Sequence, residues 1–233
     1  MLYYRTFGSL LVCFFCWEVA FAQVTVSGGY WVIPVGSTVV ATDLRVQNKS
    51  GATIANHGML ATTDHITNAA GAVLTGNGLW KLGGNWTNAG TFAAGTSTVL
   101  FDGSGGSTVA AGGAPFHRLH LGKNNNNLML ASAVTVLDEV VFLTNNNKIV
   151  CGSFDCTVAE TAAISGADSN DFFVTDGTGF LKRRGLGAVA FTFPVGADAS
   201  TYNPLILTEN GTPDTIGVRC LPQALANGLS GSP

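Results

Sequence analysis

The sequence is short of charge. Of its 233 residues only 11% are Asp, Glu, Lys or Arg, and the net charge at pH 7 is -3. That balance is too weak, and of the wrong sign, for a chain that grips nucleic acid through its phosphates. Apolar residues are not scarce, at 46%, so the composition is not that of a disordered chain. Long apolar runs are missing beyond the N-terminus, which excludes a transmembrane helix in the rest of the chain. Helical periodicity is missing too, and each of the 30 glycines would cost a helix interior about 1 kcal/mol. Motifs of common chemistry are absent as well. There is no zinc-ligand spacing and no Gly-x-Ser-x-Gly elbow, and "GTSTVLFDGSG" lacks the Gly-Lys-Ser/Thr end of a phosphate-binding loop.

The chain opens with "MLYYRTFGSLLVCFFCWEVAFAQ". Arg5 supplies a weakly positive start, residues 7 to 17 form an apolar stretch, and Ala20-Phe21-Ala22 is a small-x-small processing site. This pattern predicts a secretory signal peptide over residues 1–22, cleaved after Ala22. Cys13 and Cys16 follow Val12 and Phe15, not the small residue that lipidation requires. Export leaves Cys151, Cys156 and Cys220 and permits a disulfide. Cys151 and Cys156 are close enough in sequence to bridge across a tight turn, or they are two small buried apolar side chains; spacing alone does not decide.

An internal repeat organises the next part of the chain. Windows of 20 residues starting at Asn48, Asn68 and Asn88 read "NKSGATIANHGMLATTDHIT", "NAAGAVLTGNGLWKLGGNWT" and "NAGTFAAGTSTVLFDGSGGS". The first two align Asn48 with Asn68, Gly51 with Gly71, Ala52 with Ala72, Gly58 with Gly78 and Thr67 with Thr87. Ile54, Leu60 and Ile66 are six apart, as are Leu74, Trp80 and Trp86. Even spacing keeps each trio on one side of an extended path, and turns between them aim all three at one axis. Three short strands per repeat, separated by Gly and Asn turns, describe a coil of a β-solenoid. The composition follows: every coil repeats the same turns, which favour Gly and Asn. Stacked Asn side chains can bond along the axis. Like charges stacked about 4.8 Å apart would repel, so charge is avoided.

Further strands are predicted near residues 116–121, 128–130, 134–136, 140–143, 148–151 and 156–159, with the Asn runs at 124–127 and 145–147 as turns. After about Arg184 the texture changes. Pro194, Pro204 and Pro213 punctuate strands near 188–193, 204–208 and 215–220. Roughly 45 residues are too few to bury a core alone, so this unit packs on the solenoid end or belongs to something longer. The expected organisation is an all-β chain: signal peptide 1–22, parallel β-solenoid 23–184, and a partial β-sandwich-like C-terminal unit 185–233.

"GNWTNAGTFAAGTSTVLFDGSG" followed by "APFHRLHLGK" resembles repeats of large secreted surface proteins of Bacteroidetes-type bacteria. "ISGADSNDFFVTDGTGFLKRR" and "FTFPVGADASTYNPLILT" resemble the segments that follow those repeats. The resemblance covers about residues 75 to 220. It implies a right-handed parallel β-solenoid (β-helix) leading into a β-sandwich, export usually through type IX secretion, and adhesin-like roles at the cell surface. Such proteins usually end in a sorting domain with a basic tail. This chain ends "ALANGLSGSP", which implies a truncated sequence or another route.

Candidate chemistry is thin. His117 and His120 form His-x-x-His in a predicted strand, where that offset places them on opposite faces. His57 and His65 sit at turns. Asp43, Asp64 and Asp102 are spread and single. Asp138 and Glu139 are adjacent and expected to face opposite sides. Asp168, Asp171 and Asp176 could ligate calcium through oxygen, but turn roles are the simpler expectation. Lys182-Arg183-Arg184 is the basic cluster, either a solvated connector or a contact for an anionic glycan. Tyr30, Trp31, Trp80 and Trp86 could stack on sugar if exposed, although Trp80 and Trp86 occupy inward positions of the repeat. No catalytic residue, metal or cofactor is expected. The leading expectation is a non-enzymatic exported cell-surface or adhesion-type module, secreted or surface-held, that serves as spacer and binding face for a surface glycan or protein ligand. The alternative is a carbohydrate-binding or polysaccharide-cleaving β-helix, which an acid cluster on an exposed strand face beside a groove would favour.

Overall fold

The structure is a computed structural model that describes residues 22–143, 146–222, 225–226 and 229–230. The expected signal peptide falls outside the described residues, apart from Ala22. Every regular element described is a strand, and together they wind into a parallel β-solenoid of about 8 turns.

Coil 1 consists of β1 (Gln23–Val26), β2 (Tyr30–Ile33) and β3 (Thr38–Ala41). Coil 2 consists of β4 (Arg45–Asn48), β5 (Thr53–Asn56) and β6 (Met59–Thr62), and coil 3 of β7 (Ile66–Asn68), β8 (Val73–Thr75) and β9 (Leu79–Leu82). Coil 4 has β10 (Trp86–Asn88), β11 (Thr91–Ala93) and β12 (Thr98–Gly103). The middle strand then drops out. Coil 5 has β13 (Ser107–Ala110) and β14 (Phe116–Lys123), and coil 6 has β15 (Leu128–Leu130) and the long β16 (Val134–Phe142). Coil 7 has β17 (Lys148–Val150), β18 (Cys156–Val158) and β19 (Ala163–Ser165), both of the latter pairing with β16. Coil 8 has β20 (Phe172–Val174) and β21 (Leu181–Leu186). After it come β22 (Phe191–Phe193), β23 (Val195–Asp198), β24 (Thr201–Tyr202), β25 (Leu205–Leu207), β26 (Asp214–Val218), β27 (Leu225–Ala226) and β28 (Leu229–Ser230).

The strands stack into three faces. A first sheet runs β1-β4-β7-β10-β13-β15-β17-β20-β23-β24, and a second β2-β5-β8-β11. A third runs β3-β6-β9-β12-β14-β16-β18-β21-β26. Its register aligns Leu60 with Trp80 and Trp80 with Val99, while Ile66 aligns with Trp86 and Ile54 with Leu74. The 20-residue repeat is therefore one coil. Ile54, Leu60, Ile66, Leu74, Trp80 and Trp86 are all at most 1% exposed and belong to one core. Trp80 and Trp86 meet edge to face, with centroids 6.1 Å apart and planes at 86°, an orientation that suits the ring quadrupoles.

The turns show why the repeated residues are what they are. Gly51 and Gly71 both take φ +75°, which side chains with a Cβ rarely adopt. Gly58 and Gly78 are packed so tightly that a Cβ would lie 2.2 Å from Ser37 O and 2.3 Å from Gly58 O. Asn48, Asn68 and Asn88 form a buried ladder: Asn48 Nδ2 donates to Asn68 Oδ1 at 2.9 Å, and Asn68 Nδ2 donates to Asn88 Oδ1 at 2.7 Å.

The strand pattern differs from expectation at two places. Residues 134–142 form one strand, not two, because β16 bridges to both β18 and β19. Parallel stacking also continues past residue 184, since β23 pairs in parallel with β20. Antiparallel pairing starts beyond it. β24 pairs with β23, β26 pairs with β21, and β22 pairs with β25. Some of the apolar side chains after 185 are met by the last coils: Phe193 and Val195 are buried in the same core as Phe173 and Leu181, with Phe191 and Leu207 packed against it, while Val189, Leu205 and Ile206 stay exposed.

Candidate binding face

The outer face of the third sheet is built by register. Thr38, Met59, Leu79, Thr98 and Arg118 are aligned across five consecutive coils, and Val40, Ala61, Lys81, Leu100 and His120 form the row beside them. Neighbours in each row are one strand spacing apart, about 4.8 Å. A trough of about 660 Å³ lies over these rows, with Thr38, Met59, Leu79, Thr98, Arg118 and His120 among its lining. His57 also lines it. Lys81 Nζ pairs with Asp102 Oδ2 at 2.7 Å on the same face. Burial opposes the Asp102 charge, but Lys81 and the Gly103 N–H outweigh it and hold the carboxyl below its ordinary value.

One end of the trough carries a charged cluster that simple strand alternation conceals. Phe116 pairs with Val136, but Arg118 pairs with Glu139, so β16 carries one residue more than β14 between these points. The bulge breaks the two-residue period. Phe116 and Leu119 are both fully buried, three apart, as are Val136 and Val140, four apart. The side chains between them are turned outward together. Arg118 Nε lies 2.7 Å from Asp138 Oδ2 and 3.5 Å from Glu139 Oε1. His120 Nε2 is 2.8 Å from Glu139 Oε1, and His117 Nδ1 is 3.5 Å from Asp138 Oδ2. The expectations that His117 and His120, and likewise Asp138 and Glu139, face opposite sides are corrected. All five groups converge on one partly exposed patch.

The other sequence candidates are not brought together. Trp80 and Trp86 are core residues, leaving Tyr30 exposed and Trp31 half-buried on the second sheet. Asp64 Oδ2 holds Arg45 Nε at 3.3 Å, and His65 Nδ1 accepts the Asn85 N–H at 2.8 Å. Asp43 accepts from Thr63 Oγ1 at 3.0 Å. Asp168 Oδ1 accepts the N–H groups of Asn170 and Asp171 at 2.6 and 3.0 Å. Buried Asp171 accepts those of Asn146 and Asn147 at 3.2 and 2.9 Å. Both carboxylates thus fasten turns. Among the described residues no group of three or more His, Cys, Asp or Glu is placed to hold a metal ion.

The basic cluster is divided inside β21. Lys182 Nζ pairs with Asp155 Oδ2 at 2.5 Å. Arg183 donates to the carbonyls of Ala159, Glu160 and Ala162 and stacks 4.4 Å from the Phe191 ring centroid, while Arg184 is exposed. Cys151 and Cys156 are free and buried. Sequence reasoning missed two buried amines. Lys123 Nζ donates to Gly83 O at 2.9 Å and Asp102 O at 3.1 Å, tying three coils. Lys148 Nζ donates to Asn146 Oδ1 at 3.3 Å over the Phe172 ring. Burial pushes both amines down, with nearby Asp charges partly opposing it. Neither residue carries a local sequence signal, because burial arises only on stacking.

Fold and face define the class: a parallel β-solenoid with a grooved, strand-borne surface. Compared with known proteins, the chain matches no family model, no curated protein and no solved structure.

Proposed function

We propose that the chain is a non-enzymatic, exported module of the cell surface or of adhesion, in which the solenoid is the spacer and the third sheet's outer face binds a surface glycan or protein ligand. The observation that carries this reading is the trough: about 660 Å³, lined by in-register side chains on rigid strands and ended by Arg118 and His120. Sites on regular elements hold their groups without the entropy loss of ordering loops. Export is supported by the signal-peptide pattern of residues 1–22. The likeness of residues 75–220 to secreted Bacteroidetes-type repeat proteins supports a surface role and type IX secretion.

A second reading has its own observation. Asp138 and Glu139 converge beside a groove, as the carboxylate pair of a polysaccharide-cleaving β-helix would. Their arrangement favours binding over cleavage. Arg118 Nε sits within 3.5 Å of both carboxylates, so a guanidinium fills the space that a glycosidic oxygen or attacking water would need. The test is a panel of glycans and surface proteins offered to the exported chain. Binding lost in Arg118→Ala, with no polysaccharide turned over, is expected. Turnover that disappears in Asp138→Asn would establish the cleaving reading instead.

A further inference from the structure

The two ends of the solenoid are finished differently. At the C-terminal end, the outermost strands of the first and third sheets, β24 and β26, run antiparallel to their neighbours. At the other end, β1, β2 and β3 are the outermost strands of all three sheets among the described residues, each paired on one side only. Three strands of four residues present free backbone edges together. Exposed edges are normally guarded by charged side chains or bulges. Here none is present: residues 22–42 contain no Asp, Glu, Lys, Arg or His. Pro34 lies in a turn outside the strands. The same coil carries four exposed large apolar residues, Tyr30, Val32, Val35 and Val40.

We propose that coil 1 is a homodimer interface, on which a second copy of this chain sits head to head. Three observations select that occupant. A two-fold contact places a surface against itself, so any charge in it would meet its own sign nearby; this surface has none. Residues 1–21 are poor material for a further coil, with one glycine and no asparagine, whereas the coils of the repeat turn on those residues. The far end is a poor match for a head-to-tail stack, because its edge strand β24 has only two residues and its edge strand β26 begins with Asp214. The contact is therefore closed, not filamentous. A two-fold perpendicular to the solenoid axis reverses the direction in which the strands circulate. Each edge then meets an antiparallel partner: β2 pairs with β2 of the other copy, and β1 with β3.

The test is the mass of the exported chain in solution across a wide concentration range, with hydrogen exchange followed at residues 23–41. A dimer is expected, with residues 23–41 protected in the dimer and losing protection on dilution to monomer. Val32→Lys combined with Val40→Lys places lysines on outward side chains beside the contact, at positions 45% and 63% exposed. This variant is expected to be monomeric with an unchanged circular dichroism spectrum. If the variant fails to fold, the dilution-dependent exchange of the unmodified chain decides alone. A monomer at every concentration, a mass that keeps growing, or a dimer whose residues 23–41 stay unprotected would overturn the proposal. So would a monomer that retains residues 1–21 and protects coil 1.

Discussion

Cys151 and Cys156 lie at a turn of coil 7, both 0% exposed. Burial pushes the Cys156 thiol up to about 12, aided by the Asp155 charge. Burial, then Cys156 and Asp155, also raise Cys151 well above its ordinary value. The thiolate is the nucleophile, so these groups are inert in the folded chain. A thiol reagent at neutral pH is expected to label Cys220, which is half-buried, and to leave Cys151 and Cys156 untouched until the chain unfolds. The same shifts set a pH dependence. Unfolded thiols ionise near 9.0 and the folded ones do not, so above that pH the folded state holds more protons. Their contribution is complete below 9.0 and is lost as pH rises toward 12. Denaturant midpoints of Cys151→Ala/Cys156→Ala are expected to fall less steeply between these values than those of the unmodified chain. Lys123 and Lys148, pushed down by burial, act with the opposite sign in both proteins.

Single strands of three or four residues are too short to be stable alone, so the element that matters is the ladder running through them. Asn68 shows this best. Its Nδ2 reaches Asn88 Oδ1 at 2.7 Å and Thr91 O at 2.9 Å, and its Oδ1 accepts from Asn48 at 2.9 Å. One side chain therefore joins three coils at a buried turn. Asn68→Ala takes from Asn88 Oδ1 its donor inside the core, at about 1–3 kcal/mol for a group left unpaired, while Asn48 Nδ2 keeps Val73 O at 2.8 Å. Urea unfolding should show a loss of ~2 kcal/mol by that reckoning. Thr67→Ala, next in the same strand and half-buried on its other face, should stay within about 1 kcal/mol. Equal losses at both positions would mean that the ladder adds nothing beyond general packing.

In the whole molecule, the strands after residue 185 act as a lid on the stack. Phe193 and Val195 join the solenoid core, and Arg183 is anchored to three carbonyls of coil 7. β21 also lies between β18 and β26 in the third sheet. Cleavage by trypsin needs a locally extended, unpaired segment. Native chain is accordingly expected to resist cutting after Arg183 and Arg184, although Arg184 is exposed. Rapid release of a fragment beginning near Gly185 would show that the lid is only loosely attached.

The coil itself was legible in the sequence, because its causes are local and repeated. Six-residue spacing of Ile54, Leu60 and Ile66, with Gly and Asn between, specifies extended segments and turns whatever the neighbours are. Stacking then places each trio over the next, and Asn48 over Asn68. The charged patch was not legible. Alternation predicts one face per residue, and it holds only while both strands of a pair advance together. The extra residue of β16 opposite β14 appears only in their pairing, and it turns His117, Arg118, His120, Asp138 and Glu139 to one side. Edge and burial are likewise properties of the stack. Nothing local marks Lys123 as a buried amine, or β1, β2 and β3 as the outermost strands among the described residues, since each depends on what lies above and below once the coils have closed.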